Sequence, residues 1–239
     1  AQPSLFTEVP GRVINPAHIA DSPYSRACGG PAERRAYQTL EEMFELLRDA
    51  LAGPPRLTFA YWADHDALCH HRGVGAPEAE ALLRHFDARL GDFLAYASEA
   101  VVIVTADHGM VDTTPERTLH LNNHPELQAD LTLPLCGEPR TAFCYVHAER
   151  REHFLTYVGE RLNHACRAVP SRELAEGGWF GLGPAHPELQ HRIGDYTLLM
   201  HDGWVITERL PGERPFAQVG VHGGVSRAEM EVPLVVAKG

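Results

Sequence analysis

The run Val101-Val-Ile-Val-Thr-Ala-Asp-His-Gly-Met110 decides how this chain reads. Val101–Thr105 is an unbroken series of β-branched residues, stiff at χ1 and suited to a pleated strand. An apolar run without alternation fits burial on both faces, so an interior place in a parallel sheet is expected. Asp107 and His108 follow at the tip of that strand, and Gly109 permits close backbone approach. Strand ends are where α/β folds assemble their sites. One short stretch therefore predicts an architecture and delivers a carboxylate and an imidazole side by side.

Outward from this strand the pattern alternates. Pro77 opens a helix with Ala79, Leu82, Leu83, Phe86, Leu90, Phe93 and Leu94 on one face. Leu57–Trp62 is short and apolar, as a buried strand would be. Residues 36–52 place Tyr37, Leu40, Phe44, Leu47 and Leu51 at helical spacing, and Gly53-Pro-Pro ends that helix. Helix, strand, helix, strand is an α/β order. Residues 1–35, rich in Pro, Gly and Ala, read as an irregular lead-in.

Downstream, residues 111–147 carry Asn, His, Pro and Gly around short apolar pieces such as Ala142–Val146. Residues 148–163 are helical by the spacing of Phe154, Tyr157, Val158 and Leu162, and 170–195 are loop-like. Tyr196–His201 and Trp204–Thr207 flank a turn sequence and predict a hairpin. Val232–Ala237 reads as a last buried strand. The expected organisation is a core from residues 1–110 and 201–239, with 111–200 an inserted cap subdomain.

Composition narrows the function. The chain has 239 residues and a net charge of −11, which disfavours binding to a nucleic-acid duplex through its phosphates. There is no apolar run of about 18 residues, hence no membrane span. The first residues have neither the charged nor the apolar region of a signal peptide, and the absence of Met at position 1 points to upstream sequence removed. Five cysteines, odd in number and without a C-x-x-C pair, argue against a zinc ribbon or disulfide framework and favour a reducing, cytoplasmic setting. No P-loop, H-E-x-x-H, G-x-S-x-G or G-x-G-x-x-G occurs, which sets aside ordinary NTPases, zincins, serine hydrolases and dinucleotide enzymes.

Fifteen histidines prompt a search for ligands. Asp66 and His70 stand four apart, so on a helical turn they share a face and grip one ion. His222 sits in a Gly-flanked loop, Val219-Gly-Val-His-Gly-Gly224, before the last strand. Each motif alone has a plainer explanation: a polar loop with surface histidines, an Asp capping a helix, a turn histidine. Together Asp66, His70, Asp107, His108 and His222 suit Zn²⁺, with Mn²⁺ or Fe²⁺ less specifically matched. Five ligands exceed a tetrahedral site and suggest two metals about 4 Å apart, which clamp both oxygens of an in-line phosphoryl displacement. Asp64 is the alternative to Asp66. His65 and His71 read as substrate-facing or solvated, and His120, His124, His186 and His191 as surface residues of the cap.

In this order the motifs resemble the alkaline phosphatase superfamily, and within it the type I phosphodiesterase/nucleotide pyrophosphatase family. Tyr61, Asp66, His70 and Gly73 match its Tyr-x-x-x-x-Asp-x-x-Gly-His-x-x-Gly pattern, with Cys69 in place of the Gly before the His. Asp107-His-Gly-Met110 matches its strand end, His222-Gly223 its late His-Gly, and Arg192-Ile-Gly-Asp195-Tyr a segment of its cap. The resemblance spans residues 57–239 and extends to Ser22-Pro-Tyr24. It implies a three-layer α/β sandwich with a central, mostly parallel sheet whose N-terminal strands are missing here. It further implies one zinc on Asp66, His70 and His222, and a second on Asp107 and His108. The nucleophile would be a Thr or Ser lying upstream; Thr7, Ser22 and Ser25 sit in the irregular segment and do not match it.

The expected function is metal-dependent hydrolysis of phosphodiester or pyrophosphate bonds in nucleotides or related small phosphoesters, with this chain alone inactive. Pairing with another chain through an uncovered sheet edge is expected too. The alternatives are a phosphomutase of the same superfamily and a non-catalytic metal-binding or interaction fragment.

Overall fold

Arg12-Val-Ile-Asn15, in the stretch with the least periodic sequence, forms the middle of a sheet. The computed structural model describes residues 3–238, which fall into two units. One takes the stretch through Leu68, Gly75–Thr105 and the residues from Pro233 on; the other takes Cys69–Val74 and Ala106–Val232.

In the first unit the strand Gly11–Pro16 lies between Glu33–Tyr37 and Leu57–Ala60, parallel to both. The lead-in is therefore ordered. Its strand is short and its helix, Pro23–Gly29, is capped by Ser22, whose Oγ accepts the Ser25 amide at 3.1 Å. Such brief elements leave too few residues to show a period, which is why the segment reads as irregular. Gly11 is required by contact: a Cβ there would meet the Phe6 ring at 2.3 Å and the Leu57 carbonyl at 2.8 Å. Tyr37 ends a strand rather than starting the next helix, which runs Leu40–Leu51 from a Thr39 cap with Glu41 and Glu42 in its first turn. Ile14, Tyr37, Leu40, Met43, Phe44, Phe93 and Ala97 form the buried core of this unit, the last two brought in by the helix Pro77–Tyr96 and its end.

The strand Val101–Thr105 forms as its composition predicts, but its setting differs. It pairs antiparallel with Leu234–Lys238, Ile103 opposite Val236, in a two-stranded ladder rather than inside a parallel sheet. Val102 packs on the core while Val101 and Ile103 face outward, exposed. Leu57 and Phe59 of the strand Leu57–Ala60, and Leu234, Val235 and Val236, are exposed as well, so neither strand is buried as expected. β-branched composition records a preference for extended backbone; burial also requires a covering element, and the described residues supply one on a single face at most.

In the second unit the sheet runs Cys136–Glu138, Thr141–Cys144, Tyr196–Met200, Cys166–Pro170 in space, antiparallel throughout. The helix Arg151–Arg161 contributes Phe154 and Val158 to its core. The expected hairpin does not form. Tyr196–Met200 is enclosed by two other strands, and Val205–Thr207 pairs in parallel with Thr118–His120. The turn between them closes by Trp204 N–H donating to the His201 carbonyl, with Gly203 at φ +71°, so the chain leaves the sheet instead of folding back along it. A short helix, Ser171–Glu176, interrupts the loop expected over 170–195.

Candidate metal centre

The helix Asp64–Arg72 carries Asp66 and His70 one turn apart, with ligand atoms within 4.8 Å of each other. Asp64, the alternative ligand, instead accepts the Trp62 indole N–H at 3.2 Å. The end of this helix is fixed by the short strand Gly220–Val221. The Val219 amide donates to the His70 carbonyl, and His70 Nδ1 lies 2.8 Å from the Gly220 carbonyl. A carbonyl only accepts, so Nδ1 carries the proton and Nε2 is the ring's acceptor atom. The approach is close: a Cβ on Gly220 would lie 2.4 Å from the Cys69 carbonyl.

That strand delivers the other imidazoles. Gly220–Val221 pairs antiparallel with Val111–Asp112, which follows the Asp107-His-Gly-Met turn. His222, one residue beyond Val221, stacks on His108 with ring centroids 3.7 Å apart and planes at 15°. The His70 ring is 5.2 Å from His222, and their ligand atoms also lie within 4.8 Å. The Asp107 carboxylate is 3.7 Å from His108 Nε2 and largely exposed. His108 Nδ1 faces the Gly109 carbonyl at 3.0 Å. Three segments far apart in sequence thus place imidazoles together, with a carboxylate adjacent in helix or chain to two of them. This donor set of imidazole and carboxylate oxygen suits a divalent first-row ion.

Three of the histidines assigned to the cap are engaged elsewhere: His120 with Thr207 Oγ1, His124 with the Tyr157 hydroxyl, and His186 with the Glu188 amide. A separate open cleft of about 520 Å³ is lined by residues including Tyr145, Arg151, His191 and Asp195, and Arg151 already pairs with Asp195 at 2.6 Å. None of these belongs to the imidazole group.

Sequence reasoning gave no role to Arg140 or Glu229, a fully buried ion pair beside these loops. Ser226-Arg-Ala-Glu229 is a capping-box spacing, and both reciprocal bonds are present. That spacing was the available signal for Glu229, and Arg140 had none. Burial pushes the Glu229 carboxyl up, but hydrogen bonds from Arg140, Ser226 and the Gly224 amide outweigh it and hold the group below the usual carboxylate range.

Comparison with known proteins shows what the chain is similar to. The chain is 30% identical over 163 residues to human ectonucleotide pyrophosphatase/phosphodiesterase family member 5, covering 65% of this chain and 31% of that protein. It is 33% identical over 123 residues to a phosphopentomutase of Vibrio cholerae, covering 50% and 29%. Solved structures of murine and human ectonucleotide pyrophosphatase/phosphodiesterase 5 superpose with TM-scores of 0.69 and 0.70 at 17% identity, covering 96% of this chain and 60% of theirs. One murine structure is an inactive threonine-to-alanine variant in complex with AMP. The chain thus spans under a third of the length of the curated relatives and about 60% of the solved ones. The fold shared with those structures is a mixed α/β architecture, and among the described residues no helix is long and apolar enough to cross a membrane. The model of type I phosphodiesterase/nucleotide pyrophosphatase matches residues 5–224, and the chain belongs to that family.

Proposed function

We propose that this chain forms the metal-binding part of a hydrolase that cleaves phosphodiester or pyrophosphate bonds in nucleotides or related small phosphoesters. The observation that carries the reading is the gathering of His70, His108 and His222 from three distant segments. Family membership supplies the reaction class, and the AMP bound to the murine relative supplies the substrate class. Asp66, His70 and His222 hold one divalent ion and Asp107 with His108 a second. Zinc is favoured by the donor set, and manganese is the other candidate. When bound, such a pair polarises phosphoryl oxygens and lowers the pKa of a hydroxyl or water beside it.

The residues of the chain prepare that site. The Gly220 carbonyl fixes the His70 tautomer, so the ring presents Nε2 without rearrangement. Gly223, at φ +94°, turns the backbone immediately after His222. The nucleophile is a Thr or Ser from sequence outside residues 1–239, in keeping with the inactive threonine variant of the murine relative.

The test compares the 239-residue chain with the full reading frame on bis-p-nitrophenyl phosphate in zinc. The full protein is expected to turn over, His222→Ala within it to lose at least about 100-fold, and the chain alone to bind zinc without turnover. Equal turnover by chain and full protein would place the nucleophile within residues 1–239. Absence of zinc binding by the folded chain would sink the metal assignment.

A second reading, a phosphomutase, is favoured by the match to phosphopentomutase. Phosphorus NMR of a pentose phosphate with Mn²⁺ separates the two: phosphoryl migration between sugar hydroxyls supports the mutase, and release of inorganic phosphate or a nucleoside monophosphate from a diester supports the hydrolase.

A further inference from the structure

We infer that the buried Arg140–Glu229 pair is a positioning device that fixes the spacing of the loops bearing His108 and His222, an inference that rests on the metal-binding reading above. Glu229 touches both loops through different atoms. Its backbone carbonyl accepts the Gly109 amide at 2.8 Å, next to His108. Its side-chain Oε1 accepts the Gly224 amide at 2.8 Å, two residues after His222. Oε2 accepts the Ser226 hydroxyl at 2.6 Å.

Arg140 holds that carboxylate in place. Its Nε and Nη2 donate to Oε1 and Oε2 at 2.9 and 2.5 Å, and Nη1 donates to the His201 and Trp204 carbonyls at 2.6 and 2.7 Å. The guanidinium therefore ties the carboxylate to the turn that ends the strand Tyr196–Met200. Thr141, the next residue, adds a bond from its hydroxyl to the Gly223 carbonyl at 2.7 Å.

There is no slack in the arrangement. A Cβ on Gly109 would lie 2.0 Å from the Ala228 carbonyl. One on Gly224 would lie 2.7 Å from both Glu229 carboxylate oxygens and 3.0 Å from Arg140 Nε. Stability alone does not call for this pair, since a buried ion pair is often replaced by apolar residues of similar volume at no loss. An apolar pair, however, provides no acceptor for the Gly224 amide. The specific contribution of Glu229 is that acceptor, held at a fixed point between the two loops.

The experiment uses two double variants of the 239-residue chain, both uncharged at these sites. Arg140→Met with Glu229→Leu removes the acceptor; Arg140→Met with Glu229→Gln keeps one. Zinc affinity is read by competition with a chromophoric chelator, coordination by the visible spectrum of the Co²⁺-loaded protein, and folding by the melt of the metal-free protein. The Met/Leu protein is expected to fold, to bind zinc about 10–100-fold more weakly and to show an altered Co²⁺ spectrum, while the Met/Gln protein recovers most of the affinity. Wild-type affinity and spectrum in a folded Met/Leu protein would overturn the inference. If Met/Leu does not melt cooperatively, Ser226→Ala takes its place: a several-fold weaker zinc affinity supports the inference, and an unchanged one overturns it. Failure of the wild-type chain itself to bind zinc or cobalt is a different result, and it would overturn the metal-binding reading instead.

Discussion

In the strand Tyr196–Met200 four of five residues are buried; in Val101–Thr105, the more apolar of the two by sequence, none is. The first strand lies between two others in a four-stranded sheet, with the helix Arg151–Arg161 contributing to its core. The second has one partner, Leu234–Lys238, and only its inward residue Val102 reaches a core. Apolar content therefore reports what a strand is able to bury, and its neighbours decide what it does bury. The unit with the four-stranded sheet is also the one holding the three imidazoles.

The largest contrast to test is in the cores. Phe154 is fully buried and stacks on Tyr196 with ring centroids 5.3 Å apart, whereas Phe59 is half exposed on the strand Leu57–Ala60. Phe154→Ala is expected to cost about 3–5 kcal/mol in urea denaturation, and Phe59→Ala under about 1 kcal/mol. Similar losses from both would mean that Phe59 is covered in solution and that the two units do not differ as described.

The candidate site was legible in sequence because its signals are local. Asp66 and His70 are one helical turn apart, Asp107 and His108 are adjacent after a β-branched run, and His222 sits between glycines. The helices were legible for the same reason, since Leu40–Leu51 and Pro77–Tyr96 repeat their apolar spacing over several turns. What failed was short or long-range. Gly11–Pro16 is too brief to show a period, although it is the central strand of its sheet. The exposure of Ile103 depends on which elements lie over it. Arg140 and Glu229 are 89 residues apart, and the capping-box spacing that marks Glu229 says nothing of its distant partner.

The next contrast is in acid. The Glu229 carboxyl is held below its ordinary value in the fold, so the unfolded chain binds the proton more readily. Its contribution is fully present above about pH 4.5 and is lost as the pH falls from there through the folded value. Urea midpoints of the metal-free chain should accordingly decline below about pH 4.5, and the Arg140→Met/Glu229→Leu protein should decline less. Parallel declines would assign the acid sensitivity to other carboxylates.

A smaller effect is expected nearer neutrality. Burial lowers the His124 pKa, and the positive charges of Arg161 and His164 lower it further. The fold therefore favours the neutral ring, which makes a 3.0 Å contact with the Tyr157 hydroxyl. Because the folded value lies below the ordinary 6.5, this stability is present above that pH and is lost as the pH falls below it. His124→Gln should flatten the part of the pH dependence just below 6.5 that belongs to this group, and an unchanged slope would show that His124 is not its source.

The smallest effect is expected on the outward face of the two-stranded ladder. Ile103 and Val236 are directly opposed across it, each 62% exposed. Replacing both with Thr keeps β-branching, and so keeps the strand preference and the backbone ladder. Little buried area is lost, because most of each side chain is already in water. Stability should change by no more than about 0.5 kcal/mol per site. Self-association should change more. Leu234 and Val101, each two residues away along its own strand, add to the same exposed apolar surface, and apolar strand faces of this kind draw other chains together. Light scattering of the double variant is expected to show less association than the wild type at equal concentration. A stability loss above about 2 kcal/mol would instead show that Ile103 and Val236 are buried in solution, and the contrast between the two strands would then lie in what covers each of them rather than in their own partners.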